Sequence, residues 1–175
     1  ALSVAQIRSL STTAIQSLST TSIQSLTTTQ VGAFTTTGIG ALSSTQFGNF
    51  STTQVRALAT TQIPSINSSV SFTSSQLLVL TAQQLGVLAP AQVATSETTA
   101  IQGFSITQIG GFSSTNLSSL DQTQAAALTT TQIGAFSTTQ VGGLNATDIG
   151  ELTATQVGAI TRTQIARLGT ESVAA

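Results

Sequence analysis

The sequence predicts a repeat solenoid, an all-α array of very short capped helices with one helix to each eight-residue repeat. Three observations predict it. A large apolar residue recurs at every eighth position, a short hydroxyl or amide residue follows it, and a glutamine stands three residues further on. A fixed period this short means that each unit repeats one local structure. No unit can bury its apolar face alone, so neighbours must cover one another.

With the large apolar residue as position 0, the register runs through Leu2, Leu10, Leu18, Leu26, Phe34, Leu42, Phe50, Leu58 and Ile66. The frame then loses two residues and resumes at Phe72. It continues through Leu80, Leu88, Phe104, Phe112, Leu120, Leu128, Phe136, Leu144, Leu152, Ile160 and Leu168. Ser96 is the one polar residue at this position. Residues 1–175 therefore read as a single octapeptide-repeat solenoid with a register break at 64–72. Its consensus is Leu-[Ser/Thr]-Thr-Thr-Gln-[Ile/Val]-Gly-Ala.

Position 5 is a large apolar residue in twenty of twenty-one octads, Ala125 being the weak member. Positions 5 and 8 are three residues apart and share one side of a helix. Position 1 carries Ser, Thr, Asn, Asp or Gly in all but three octads, the residues whose short side chains accept from an unpaired first-turn N–H. Position 4 is Gln in fourteen octads, with Asn116 and Asp148 in the same slot. Ser or Thr followed three residues later by Gln is the capping box. Pro90 sits at the first helical position, where proline is tolerated. Glu97, Asp121, Asp148 and Glu171 fall early in their octads, while Arg8, Arg56 and Arg167 fall late, as a helix dipole sorts them.

The competing architecture is a β-solenoid with 8- or 16-residue coils. Thr-Thr-Thr-Gln-Val is strand-forming material, and Gly at position 6 suits a corner. Positions 0 and 5 differ by an odd number, however, and a continuous strand would place them on opposite faces. Small residues at positions 6 and 7, such as Gly32-Ala33, Gly110-Gly111 and Gly142-Gly143, allow units to approach closely.

Pro64 and the six-residue unit 66–71 predict a kink or a register slip. Ser96 and Glu97 place a polar pair at a core and a cap position. Leu77, Leu78, Val79 and Leu80 form the densest apolar run, readable as a lateral contact patch or as extra core.

Composition excludes several functions. Charged residues make up 5% of the chain and the net charge is −1, so no long-range field draws nucleic acid or an anionic membrane. No apolar run is long enough to span a bilayer. His and Cys are absent, which removes imidazole bases and thiolate nucleophiles and ligands. Asp148 and Glu151 are the only neighbouring carboxylates and lack the company that a glycosidase pair or a Ca²⁺ site needs. No catalytic, cofactor-binding or metal residues are predicted. Four N-glycosylation sequons occur, at Asn49, Asn67, Asn116 and Asn145.

The unit Leu-Thr-Thr-Thr-Gln-Ile-Gly-Ala at 128–135, nearly repeated at 26–33, resembles the Leu-[Ser/Thr]-x-x-Gln-[Ile/Val]-x-x arrays of very large secreted or surface exoproteins of Gram-negative bacteria. That resemblance implies an exported structural or adhesion-related role and offers no catalytic residues. The low-charge surface of Ser, Thr, Gln and Gly also points outside the cell.

The chain has no initiating Met and reads as a mature product or a segment. With Leu2 and Ile7 opening it in consensus form and Val173 completing the last octad, uncapped ends predict a head-to-tail homopolymer, an extracellular filament or surface fibre. The other expectation is a module that binds ice or another surface through threonines such as Thr27, Thr28 and Thr29; whether a surface or glycan is contacted is left open by the sequence.

Overall fold

A computed structural model describes residues 2–168. Among these residues every regular element is helical and none is a strand, so the β-solenoid is not the architecture. There are nineteen α-helices of four to six residues and one 3-10 helix. Helices this short do not persist alone in water, because a costly nucleus is followed by almost no propagation. Their caps and their packing must hold them.

The chain falls into two compact units, residues 1–80 and 81–175. The first contains α1 (Val4–Ser9), α2 (Thr12–Gln16), α3 (Thr20–Gln24), α4 (Thr28–Ala33), α5 (Thr36–Gly40), α6 (Ser44–Gly48), α7 (Thr52–Arg56), the 3-10 helix Ile63–Ser65 and α8 (Ser74–Leu78). The second contains α9 (Ala82–Gly86), α10 (Pro90–Ala94), α11 (Thr98–Gly103), α12 (Ile106–Ile109), α13 (Ser114–Leu117), α14 (Gln122–Ala127), α15 (Thr130–Gly134), α16 (Thr138–Gly142), α17 (Ala146–Gly150), α18 (Ala154–Val157) and α19 (Arg162–Ile165).

Within each unit a helix packs on the third helix after it. In the first unit α1 meets α4, α2 meets α5, α3 meets α6 and α4 meets α7. In the second, α9 meets α12, α10 meets α13, α11 meets α14 and α13 meets α16. Within each unit three octads therefore make one tier, and each tier rests on the one before it in that unit.

The core consists of positions 0 and 5, as the spacing predicts. Position 5 is buried from Ile7 through Val141, and position 0 from Phe34 through Leu144. The exceptions reveal a polarity. Leu2, Leu10, Leu18 and Leu26 are partly exposed although Ile7, Ile15 and Ile23 of the same octads are buried. In the last described octads it is position 5 that is exposed, Val157 at 42% and Ile165 at 48%. Position 0 thus faces the preceding tier and position 5 the following one.

The irregular segment resolves into a local repair. Pro64 lies at the start of the 3-10 helix, where its missing N–H costs little. The chain then turns at Asn67, whose carbonyl accepts from the Val70 N–H at 2.8 Å, and Val70 and Phe72 are both buried. In the apolar run, Leu77 and Leu80 are core, Val79 is half-buried and Leu78 is exposed. Most of the run is therefore extra core.

Candidate functional site, a glutamine clip between tiers

The chemistry of this chain is concentrated at position 4. In the octad at Leu128, the Thr129 hydroxyl accepts from the Gln132 backbone N–H at 3.2 Å, and the Gln132 Oε1 accepts from the Thr129 N–H at 2.7 Å. This is the predicted capping box, and it recurs in both units, at Ser43 with Gln46 and at Ser137 with Gln140 among others.

The second half of the same amide reaches beyond its own octad, which the capping box alone does not predict. Gln132 is 3% exposed, and its Nε2 donates to the Ile101 carbonyl at 2.9 Å and to the Phe104 carbonyl at 2.9 Å. Those residues lie 31 and 28 positions earlier, in the preceding tier. The geometry repeats. Gln46 reaches Ile15 and Leu18, Gln54 reaches Ile23 and Leu26, Gln140 reaches Ile109 and Phe112, and Gln164 reaches Ile133 and Phe136.

The acceptors explain the choice. The position 5 carbonyl closes a last helical turn, where in most octads it accepts the backbone N–H three residues on and keeps a second lone pair free, and the position 0 carbonyl lies between helices, where the backbone leaves its oxygen short of donors. One glutamine therefore caps its own helix N-terminus and supplies donors to the helix end beneath it.

Gln76, which follows the six-residue unit, finds the Phe50 carbonyl 26 positions earlier, at 3.0 Å. The offset shortens from 28 by the two residues that the unit lacks, so the expected register slip is absorbed and the clip is kept. Ser96 joins the same scheme. Its side chain is small and buried, and its carbonyl accepts from the Gln124 Nε2 at 2.6 Å. Glu97 precedes α11 as its N-cap residue, without a side-chain cap bond.

Three variants of the slot are instructive. Asn116 is 1% exposed and keeps both functions, with its Nδ2 donating to the Leu88 carbonyl at 3.1 Å. Asp148 accepts from the Asn145 N–H at 2.8 Å but has no proton to donate. Below it, Ser118 reverses the polarity, its hydroxyl donating to the Asp148 Oδ2 at 2.7 Å. In the octad of Ala89 the cap has no oxygen. There the Gln92 Oε1 accepts from the Ala89 N–H at 3.1 Å, while its buried Nε2 has no hydrogen-bond partner.

Close approach between tiers comes from position 7. A Cβ on Gly111 would lie 2.2 Å from the Ala82 carbonyl oxygen, and one on Gly143 would lie 2.4 Å from the Ser114 Cβ. The small residues thus serve packing onto the octad three units before.

Asp148 and Glu151 do interact electrostatically, and Asp121 joins them. Burial first, then the charges of Asp148 and Asp121, holds the Glu151 carboxyl above the usual carboxylate range. Among the described residues no group of three or more potential ligands could hold a metal ion. None of the described helices is long and apolar enough to cross a membrane.

The dual role of Gln left a mark that capping alone does not account for. Glu serves a capping box as well as Gln, yet Glu never occupies position 4. A slot that takes Gln fourteen times and Glu never favours a donor beside the acceptor, and where Asp148 fills it the Ser118 hydroxyl supplies the proton instead. Asp121 was not readable as a neighbour of Glu151, because an octad period alone does not state how many octads make a tier.

No protein-family model matches the chain, and no curated protein matches it either.

Proposed function

We propose that this chain is a non-catalytic structural repeat, a subunit or segment of an extracellular self-assembling filament or surface fibre built as a helical solenoid. The observation that carries the proposal is the polarity of the tiers. One face of every tier offers position 0 side chains and glutamine donors, and the other offers position 5 side chains and open carbonyls. Two different faces that fit each other make a heterologous contact, which propagates without closing. Because the acceptors are backbone carbonyls, the hydrogen bonds of the contact do not depend on the side chains that flank them, within one chain or between copies. The low charge suits such stacking, since like charges would otherwise align along the axis. The resemblance to secreted octapeptide arrays supports an exported location. Negative-stain microscopy and sedimentation velocity test the proposal; filaments whose length grows with concentration are expected, and a monodisperse monomer at all concentrations would overturn it.

A second reading, binding to ice or to another surface, is favoured by the exposed first-turn threonines that recur at octad spacing, Thr27, Thr28 and Thr29 in the first unit and Thr129, Thr130 and Thr131 in the second. Thermal hysteresis separates the readings, since a structural filament shows none.

A further inference from the structure

We propose that Asn67 is an acceptor for N-linked glycosylation, and that the fold selects it from the four sequons of the chain. An amide nitrogen becomes an acceptor only where a transferase can surround both the asparagine and the hydroxyl two residues on, which requires an exposed loop.

Three sequons fail that requirement. Asn116 is buried and its Nδ2 is committed to the Leu88 carbonyl. Asn49 is half-buried with both ends engaged, its Nδ2 donating to the Thr45 carbonyl at 2.8 Å and its Oδ1 accepting from the Gln24 Nε2 at 3.0 Å. Asn145 is exposed, but its Oδ1 caps α17 by accepting from the Thr147 and Asp148 N–H groups. The hydroxyl of that sequon rides on the first turn of the same helix, so engaging it means unwinding α17.

Asn67 meets the requirement. Asn67, Ser68 and Ser69 are all exposed and lie outside any helix, in the turn between the 3-10 helix and α8. The Asn67 Oδ1 accepts from the Ser69 N–H at 2.9 Å, which folds the amide and the Ser69 residue into one compact loop. Among the described residues no group is bonded to its Nδ2. Buried Val70 and Phe72 anchor the loop from its far side, so a glycan projects outward without disturbing the core.

In the reaction, the Asn67 Nδ2 forms a bond to the anomeric carbon of a hexose carried on a diphosphate. The bond from that carbon to the diphosphate oxygen breaks, the diphosphate leaves with the electron pair, and a base of the transferase takes one amide proton. The co-reactant is thus a nucleotide-diphosphate-activated hexose together with its sequon-specific transferase. The proposed export is relevant only to where such a donor is met, and the test below does not depend on it.

The folded chain is incubated with a soluble N-glycosyltransferase and its nucleotide-activated hexose, alongside a peptide spanning residues 66–72 as a positive control. Intact mass and fragmentation mapping then locate the sugar. The expected result is one hexose on Asn67, lost in both Asn67→Gln and Ser69→Ala while the circular dichroism of each variant stays that of the parent. An unmodified folded chain beside a glycosylated peptide would overturn the proposal. So would a hexose placed on Asn49, Asn116 or Asn145 while Asn67 stays bare.

Discussion

At the residue scale, the distinguishing test is to change the two halves of the glutamine amide separately. Gln132→Ala removes a partner from the Thr129 N–H and from the Ile101 and Phe104 carbonyls. Each buried group left unpaired costs about 1–3 kcal/mol, so the loss should reach the ~2–5 kcal/mol expected for Ile133→Ala in the adjacent core. Gln132→Glu keeps the capping acceptor and replaces the donor by an anion facing two carbonyls. Urea denaturation should show it at least as unstable as the alanine variant at neutral pH. Burial among carbonyls raises that carboxyl above its unfolded value, so the deficit should shrink as pH falls through the raised value and the acid regains a proton to donate. If Gln132→Glu is neutral at pH 7, the cross-tier bond carries no weight. Gln92 gives the contrast. Its Nε2 is already unpartnered, so Gln92→Leu should cost far less than Gln132→Leu. Asp148 and Ser118 form a compensated pair. A double-mutant cycle should find Ser118→Ala harmful beside Asp148 and nearly neutral beside Asp148→Gln. The raised Glu151 carboxyl also has a sign. Its folded form holds a proton more tightly than its unfolded form, so its favourable contribution is complete below the ordinary carboxylate range and is lost as pH rises through the raised value. Glu151→Gln should therefore flatten the dependence of melting temperature on pH and raise it near neutrality.

At the scale of the element, caps make these helices possible and packing makes them persist. Replacing the cap Thr129 by Ala should cost about 1 kcal/mol, because the hydroxyl serves a single exposed helix end. Gly111→Ala should cost more than this cap despite restricting the unfolded chain, since the added methyl meets the Ala82 carbonyl of the preceding tier at 2.2 Å. Thermal melts of the two variants rank them, and a stabilised Gly111→Ala would contradict the close packing. The helices themselves were legible in the sequence, since Ser or Thr at position 1 and Gln at position 4 state a helix start without any tertiary information. The core was legible too, because positions 0 and 5 are the two places that stay apolar through the array. The packing of helix n on helix n+3 was not. It depends on the angle at each junction residue, such as Leu128 with φ −62 and ψ 135, and that angle leaves no trace in an octad consensus. The reach of Gln132 into the preceding tier was hidden for the same reason, although the absence of Glu at position 4 recorded it.

For the whole molecule, the decisive property is that the clip addresses backbone. Gln156 takes the carbonyls of Ala125 and Leu128, and Gln140 those of Ile109 and Phe112. Side-chain identity at the acceptors is immaterial to the bond, and Leu and Phe already interchange at position 0. Removing one complete octad, residues 128–135, should therefore leave a folded chain. Gln156 would take the Leu120 carbonyl in place of the deleted Leu128, Gln140 would take that of Phe104 in place of Phe112, and every later octad would rotate by one place in its tier. The expected outcome is a helical circular dichroism signal unchanged per residue and a cooperative melt close to that of the parent. Removing residues 130–133 instead deletes a clip and a core residue and shifts everything after by half a unit. That chain should lose several kcal/mol, by the sum of an unpaired buried backbone and a core deletion. The six-residue unit at 66–71 marks the limit of this tolerance, since it discards two residues yet keeps Val70 in the core and hands Gln76 a carbonyl 26 positions back. If the octad deletion unfolds the chain as thoroughly as the four-residue one, tier contacts depend on particular side chains, and the backbone-addressed contact proposed to join copies into a fibre fails with it.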